Sequence, residues 1–179
     1  FNESISTLKE CKFKNNSIYT NCDLFNQNNV IYYSYGGCIY SIQSNLLIFQ
    51  CDFEKNIAYS KSNSYECYSY GGAISIESSV ITINKSNFNH NLAFSSNNYR
   101  SDSNSFGGAI MIFGNASLFE CMFNVNTVES NSISTTTQSG AVCLNGDFLE
   151  VTKCVFNNNL AKSDNGISNC GAMSATCKS

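Results

Sequence analysis

The chain has 179 residues, of which 42% are apolar and 13% aromatic, so it can bury a core and is not a disordered polymer. Charged residues are only 13%, the net charge is −3, and the ten Lys and Arg are scattered, which excludes the basic stripe that a nucleic-acid surface needs. No apolar run approaches the roughly 20 residues of a membrane-spanning helix, and the chain has no Pro, as suits a backbone that donates hydrogen bonds along most of its length.

Internal repetition is the main signal. A first copy runs through Ser6, Leu8, Cys11, Phe13 and Asn16. A second starts at Gly36-Gly37 and carries Leu46, Ile48, Cys51, Phe53 and Asn56. The third begins at Gly71-Gly72 and repeats Ile81, Ile83, Ser86, Phe88 and Asn91. The fourth begins at Gly107-Gly108 and repeats Ala116, Leu118, Cys121, Phe123 and Asn126. The fifth has Ser139-Gly140, then Leu149, Val151, Cys154, Phe156 and Asn159, and a partial copy opens at Cys170-Gly171. The units are about 1–35, 36–70, 71–106, 107–139, 140–170 and a partial 171–179, and together they read as one repeat domain.

Each unit holds three short apolar pieces with the two-residue period of a strand, as at Ile74/Ile76 and Ile81/Ile83. Ser-, Asn- and Tyr-rich segments (19–35, 59–70, 94–106, 129–139 and 162–170) then lead to the next Gly and read as loops on one side. A unit this small cannot cover its own apolar side, whereas stacked copies cover one another and pile like residues ~4.8 Å apart. The predicted fold is all-β: a right-handed parallel β-helix of about five coils. Phe13, Phe53, Phe88, Phe123 and Phe156 are expected in one internal stack. Asn16, Asn56, Asn91, Asn126 and Asn159 are expected at a corner, where Asn tolerates left-handed backbone and can bond to the Asn above and below.

The pairing of Gly-Gly-Ala-Ile (Gly71–Ile74) with Phe-x-x-Asn (Phe88–Asn91) resembles the repeats of chlamydial polymorphic outer membrane proteins and of related protist surface proteins. The resemblance spans Phe13 to Met173, with Ser139 and Cys170 in place of the first Gly. It implies a β-helix exposed on or secreted from a cell, with an adhesive or structural role. Beginning in mid-unit, the chain is either an excerpt of a longer repeat protein or one whose last half-coil completes the first half-coil of the next copy, giving a filament.

Ten Cys without a Cys-x-x-Cys pair, and His90 as the only His, fit an oxidising compartment better than a zinc site. Cys11 with Cys51, and Cys121 with Cys154, fall in adjacent rungs. They are either staples between coils or thiols in a ladder. Asn2, Asn15, Asn84 and Asn115 begin glycosylation sequons, and Asn84 and Asn115 are placed at outward turns. Tyr33, Tyr35, Tyr68, Tyr70 and Phe106, ahead of each Gly-Gly, either seal the loop side of the core or form a face for glycan or protein.

The carboxylates do not fall in one repeat column; Glu120 and Glu150 come closest. The expected class is therefore an extracellular or cell-surface structural and adhesive module, not an enzyme, without cofactor or metal. It would associate with itself or with cell-surface and matrix partners. The alternatives are a polysaccharide-active β-helix enzyme with paired carboxylates and a binding module without chemistry.

Overall fold

The computed structural model describes residues 5–22, 31–63, 65–98, 102–132 and 134–177. The described residues form strands and turns with no helix, and every strand pairing is parallel. The chain winds as a β-solenoid of about four turns between five rungs, and each coil passes through four sheets.

The first sheet holds the Gly-Gly-Ala-Ile and Leu-x-Ile pieces. In the third and fourth copies these join into single long strands, Ile74–Asn84 and Ile110–Phe119, with a register shift between Glu77 and Ser79. The second sheet is a stack of three-residue strands around each Phe: Lys12–Lys14, Asp52–Glu54, Asn87–Asn89, Met122–Asn124 and Val155–Asn157. Copies pair residue on residue, Phe13 with Phe53, Phe53 with Phe88, Phe88 with Phe123 and Phe123 with Phe156. The rings stack with centroids 4.7 to 4.9 Å apart and interplanar angles of 9° or less. Aliphatic columns from the first sheet close over them, so Ile74, Ile76, Ile81, Ile83 and Phe88 are fully buried in one apolar cluster.

The segments expected as loops turn out to contain two further sheets. The third consists of Ser17–Cys22, Ile57–Ser62, Leu92–Asn97, Thr127–Asn131 and Leu160–Ser163. The fourth consists of Tyr32–Tyr35, Cys67–Tyr70, Ser103–Phe106, Thr135–Gln138 and Ile167–Asn169. Their Ser-rich composition suggests coil, yet every second residue faces inward. Small hydroxyl side chains let two sheets approach closely and bond across the gap. Ser95 meets the hydroxyls of Ser103 and Ser105 across the gap at 2.9 and 2.8 Å and that of Ser130 on the next rung of its own sheet at 2.9 Å, and Ser34 bonds Thr20 at 2.9 Å and the Tyr59 carbonyl at 2.7 Å. The solenoid thus has two interiors, an apolar one under the first two sheets and a hydroxyl-lined one between the other two.

The corners share one device. Each pairs a residue in left-handed backbone with a following residue that meets the neighbouring coil. The left-handed positions before the Asn column are Asn15, Lys55, His90, Val125 and Asn158, all with φ between 51° and 56°. This corrects the expectation that the Asn itself is left-handed: the corner strain falls one residue earlier, and the Asn amide ties the corner down. Asn91 is typical. Its amide nitrogen and Nδ2 donate to Asn126 Oδ1 at 3.0 and 2.9 Å, and Nδ2 also donates to the Phe53 carbonyl at 3.0 Å. At the Gly-Gly corner the left-handed role belongs to Gly36, Gly71 and Gly107, and in later copies to Ser139 (φ 65°) and Cys170 (φ 53°).

Candidate functional site

The cysteine column explains itself at the next corner, where Glu10, Gln50, Lys85, Glu120 and Lys153 are left-handed. The following side chain donates to the carbonyl two residues back: Cys51 Sγ to Phe49 at 3.4 Å, Ser86 Oγ to Asn84 at 3.0 Å, Cys121 Sγ to Phe119 at 3.3 Å. It also accepts an amide from the preceding coil, Cys11 N–H to Cys51 Sγ at 3.4 Å, Cys51 N–H to Ser86 Oγ at 3.1 Å, and Cys121 N–H to Cys154 Sγ at 3.4 Å. The staple alternative is thereby corrected: Cys11, Cys51, Cys121 and Cys154 are free thiols in the structure. The column requires a small group that both donates and accepts, which is why Ser86 substitutes for Cys.

Burial pushes the thiols of Cys38, Cys51, Cys67, Cys121 and Cys143 up. Cys38 goes from an ordinary 9.0 to about 12, and Cys121 from 9.0 to about 11. In the unfolded chain the same thiols ionise near their ordinary value, so above it the unfolded state has lost protons that the folded state keeps. Stability is therefore unaffected below pH ~9 and falls as pH rises toward 11–12. The urea midpoint is expected to be lower at pH 10.5 than at pH 8, and iodoacetamide is expected to label exposed Cys170 before Cys38, Cys51, Cys67 or Cys121. Equal midpoints together with uniform labelling would contradict the burial.

Of the sequon residues, Asn15 is exposed at a corner and Asn2 lies outside the described residues. Asn84 and Asn115 are not at outward turns. Both lie in long strands of the first sheet, because the two pieces of the repeat merge there. Asn84 stands in register between Phe49 and Phe119, and its buried Oδ1 has no hydrogen-bond partner among the described residues. Asn115 Oδ1 accepts the backbone N–H groups of Phe148 and Asp147 at 3.0 and 3.3 Å.

Glu10, Glu54, Glu120, Glu129 and Asp164 form surface ion pairs. Glu54 meets Lys14 at 2.9 Å, which together with Lys55 holds its carboxyl below the usual range. Glu129 meets Lys162 at 2.8 Å, and Glu120 lies between Lys85 and Lys153 at 3.7 and 3.6 Å. Among the described residues no group of three or more His, Cys, Asp or Glu is placed to hold a metal ion. His90 is exposed at its corner.

The aromatic residues ahead of Gly-Gly do come together, but on the outside. They point away from the hydroxyl-lined interior and so do not seal the apolar core. Tyr33 stacks on Tyr68 at 5.4 Å, Tyr35 on Tyr70 at 5.1 Å, and Tyr70 on Phe106 at 5.3 Å, all within 20° of parallel. Tyr40, from the first sheet, stacks on Tyr35 at 4.7 Å and donates its hydroxyl to Glu77 at 2.6 Å. Tyr68 donates to Glu66 at 2.9 Å. Partial burial and these carboxylates raise the phenol of Tyr68 to about 12 and push those of Tyr40 and Tyr70 higher still.

Sequence reasoning missed the opposite face of the same slab. Tyr19, Tyr59 and Phe94 form an outward ladder on the third sheet, with centroids 5.3 and 5.0 Å apart. The signal was present: each stands three residues after the Asn of its unit, where the next copies have Glu129 and Lys162. Aromatic residues therefore clothe both faces of the slab through the first three coils, and polar residues take over beyond. No helix is long and apolar enough to cross a membrane among the described residues. No family model, curated protein or solved structure matches the chain.

Proposed function

We propose that this chain is an extracellular or cell-surface structural module that adheres through the outward aromatic face of its fourth sheet. The observation that carries the reading is the outward ring array Tyr33, Tyr35, Tyr68, Tyr70 and Phe106, mounted on a parallel sheet and bordered by Glu66 and Glu77. Tyr33 leaves 40% of its surface to solvent, open to contact by a partner. Tyr offers apolar area and a polar tip at low entropy cost, the combination that dominates protein contact surfaces. The carboxylates bordering this face, Glu66 and Glu77, are each engaged by a tyrosine hydroxyl, which favours a surface that holds its partner over one that converts it. The resemblance to surface-protein repeats points the same way.

The test is retention of cells and matrix proteins by the immobilised chain. Replacing Tyr33 and Tyr68 together by Ser is expected to reduce retention at least about tenfold while leaving the urea midpoint nearly in place, since both rings are outward. Unchanged retention by a folded double variant would remove this face from the function.

A further inference from the structure

The stacked column Tyr35–Tyr70–Phe106 stops where its next rung is Gln138, paired in register with Phe106. The face of Phe106 toward the later coils therefore carries no ring. Beside it, the outward sides of the fourth and first sheets meet at an inner corner. There Phe113 stands nearly edge-on to Tyr70, with centroids 5.6 Å apart and planes at 67°. The corner is a recess of about 280 Å³ lined chiefly by Phe106, Met111, Phe113, Gln138, Asn145 and Thr176. Gln138 Oε1 is held by the Cys143 thiol at 3.7 Å on the recess floor.

We infer that this recess binds one uncharged sugar unit of a glycan. Resting on the reading of the aromatic face as a contact surface, the inference names the ligand class for that face. Two rings at an angle offer apolar surface to the C–H side of a pyranose. Two carboxamides and a hydroxyl each donate and accept, as the hydroxyls of a sugar require. No charged side chain lines the recess, and Glu77 stands close enough to act on Tyr70, so anionic sugars are opposed. An extended peptide is a poorer fit, because the floor is a sheet face whose strands Ile110–Phe119 and Val142–Gly146 already pair with each other and offer no edge for β-augmentation. The volume is small beside the roughly 300–1,000 Å³ of pockets that enclose drug-sized ligands, so a single unit is taken and the rest of the glycan lies outside.

The experiment applies the full chain to an array of neutral, uronate-containing and sulfated oligosaccharides, followed by saturation-transfer NMR with the methyl glycosides of the hits. Neutral glycans are expected to bind, with transfer from aromatic protons. Gln138→Ala, Asn145→Ala and Phe113→Ser are each expected to weaken binding about tenfold, with unchanged urea midpoints for the first two in case the third perturbs folding. Binding confined to acidic glycans, binding indifferent to Gln138→Ala and Asn145→Ala, or no binding to the array overturns the inference. If the array fails while cells are still retained through Tyr33 and Tyr68, the contact surface stands without its glycan. If retention fails as well, both readings fall.

Discussion

Replacing Asn91 by Ala is expected to lower the stability of the chain by about 3–5 kcal/mol, among the largest effects of any single polar substitution. Asn91 is fully buried, and its side chain serves four backbone or side-chain groups at once. Its Oδ1 accepts the amide N–H and Nδ2 of Asn56 at 3.0 and 2.9 Å, while its own Nδ2 reaches Asn126 and the Phe53 carbonyl. Alanine would leave the buried Asn56 N–H, one Asn56 Nδ2 hydrogen and the Phe53 carbonyl without these bonds, and each buried group left without a partner costs about 1–3 kcal/mol. His90, held at φ 55° just before it, would also lose the tie that keeps the corner closed. Urea unfolding is the measurement. The neighbouring outward residue Asn89 supplies the control, since Asn89→Ala is expected to change stability by less than about 0.5–1 kcal/mol. Equal effects at the two positions would mean that the Asn ladder does not hold the corners.

Gly108→Ala is expected to cost about 3 kcal/mol or more, for a steric reason that composition does not reveal. A Cβ at residue 108 would lie 2.1 Å from the Gly140 carbonyl oxygen and 2.5 Å from the Thr127 backbone. Both contacts are with main chain, one in the next coil and one in the third sheet, so no side-chain rotation relieves them. The second glycine of each pair is thus the point where the repeat turns against its own slab. Gly171 offers a graded comparison, because a Cβ there meets only the Asn159 carbonyl oxygen at 2.8 Å. Gly171→Ala is therefore expected to lower the thermal midpoint less than Gly108→Ala does. The reverse order would contradict the close approach.

Repetition made the coil legible. Identical residues recurring at one phase can be buried together only by stacking, so the Phe and Asn columns, the parallel pairing and the solenoid follow from spacing alone. The Cys/Ser column was legible as a column but not in its role. Staples and a ladder of thiols were both compatible with the spacing, and only the hydrogen bonds of Cys51 to Phe49 and of Ser86 to Asn84 show a column that donates and accepts.

The slab was hidden because Ser and Asn, read singly, favour turns. Their strand character arises from facing another sheet of small hydroxyls, a contact between residues eight to 25 positions apart, such as Ser103 with Ser95 and Ser34 with the Tyr59 carbonyl. For the same reason the direction of Tyr33 and Tyr68 was undetermined. A strand's alternation assigns two faces, but which face meets solvent depends on what packs beneath.

The amino-acid sequence by itself determined the period, the columns and hence the solenoid, because stacking identical units is the one way to bury a side that each unit leaves open. Tertiary structure alone decided the rest: that the linking segments pair into a second, hydroxyl-lined interior, that the aromatic array faces outward, and that it ends in a recess at Gln138 where two sheets meet. Those features depend on which distant surfaces approach one another, and local pattern carries no information about that distance.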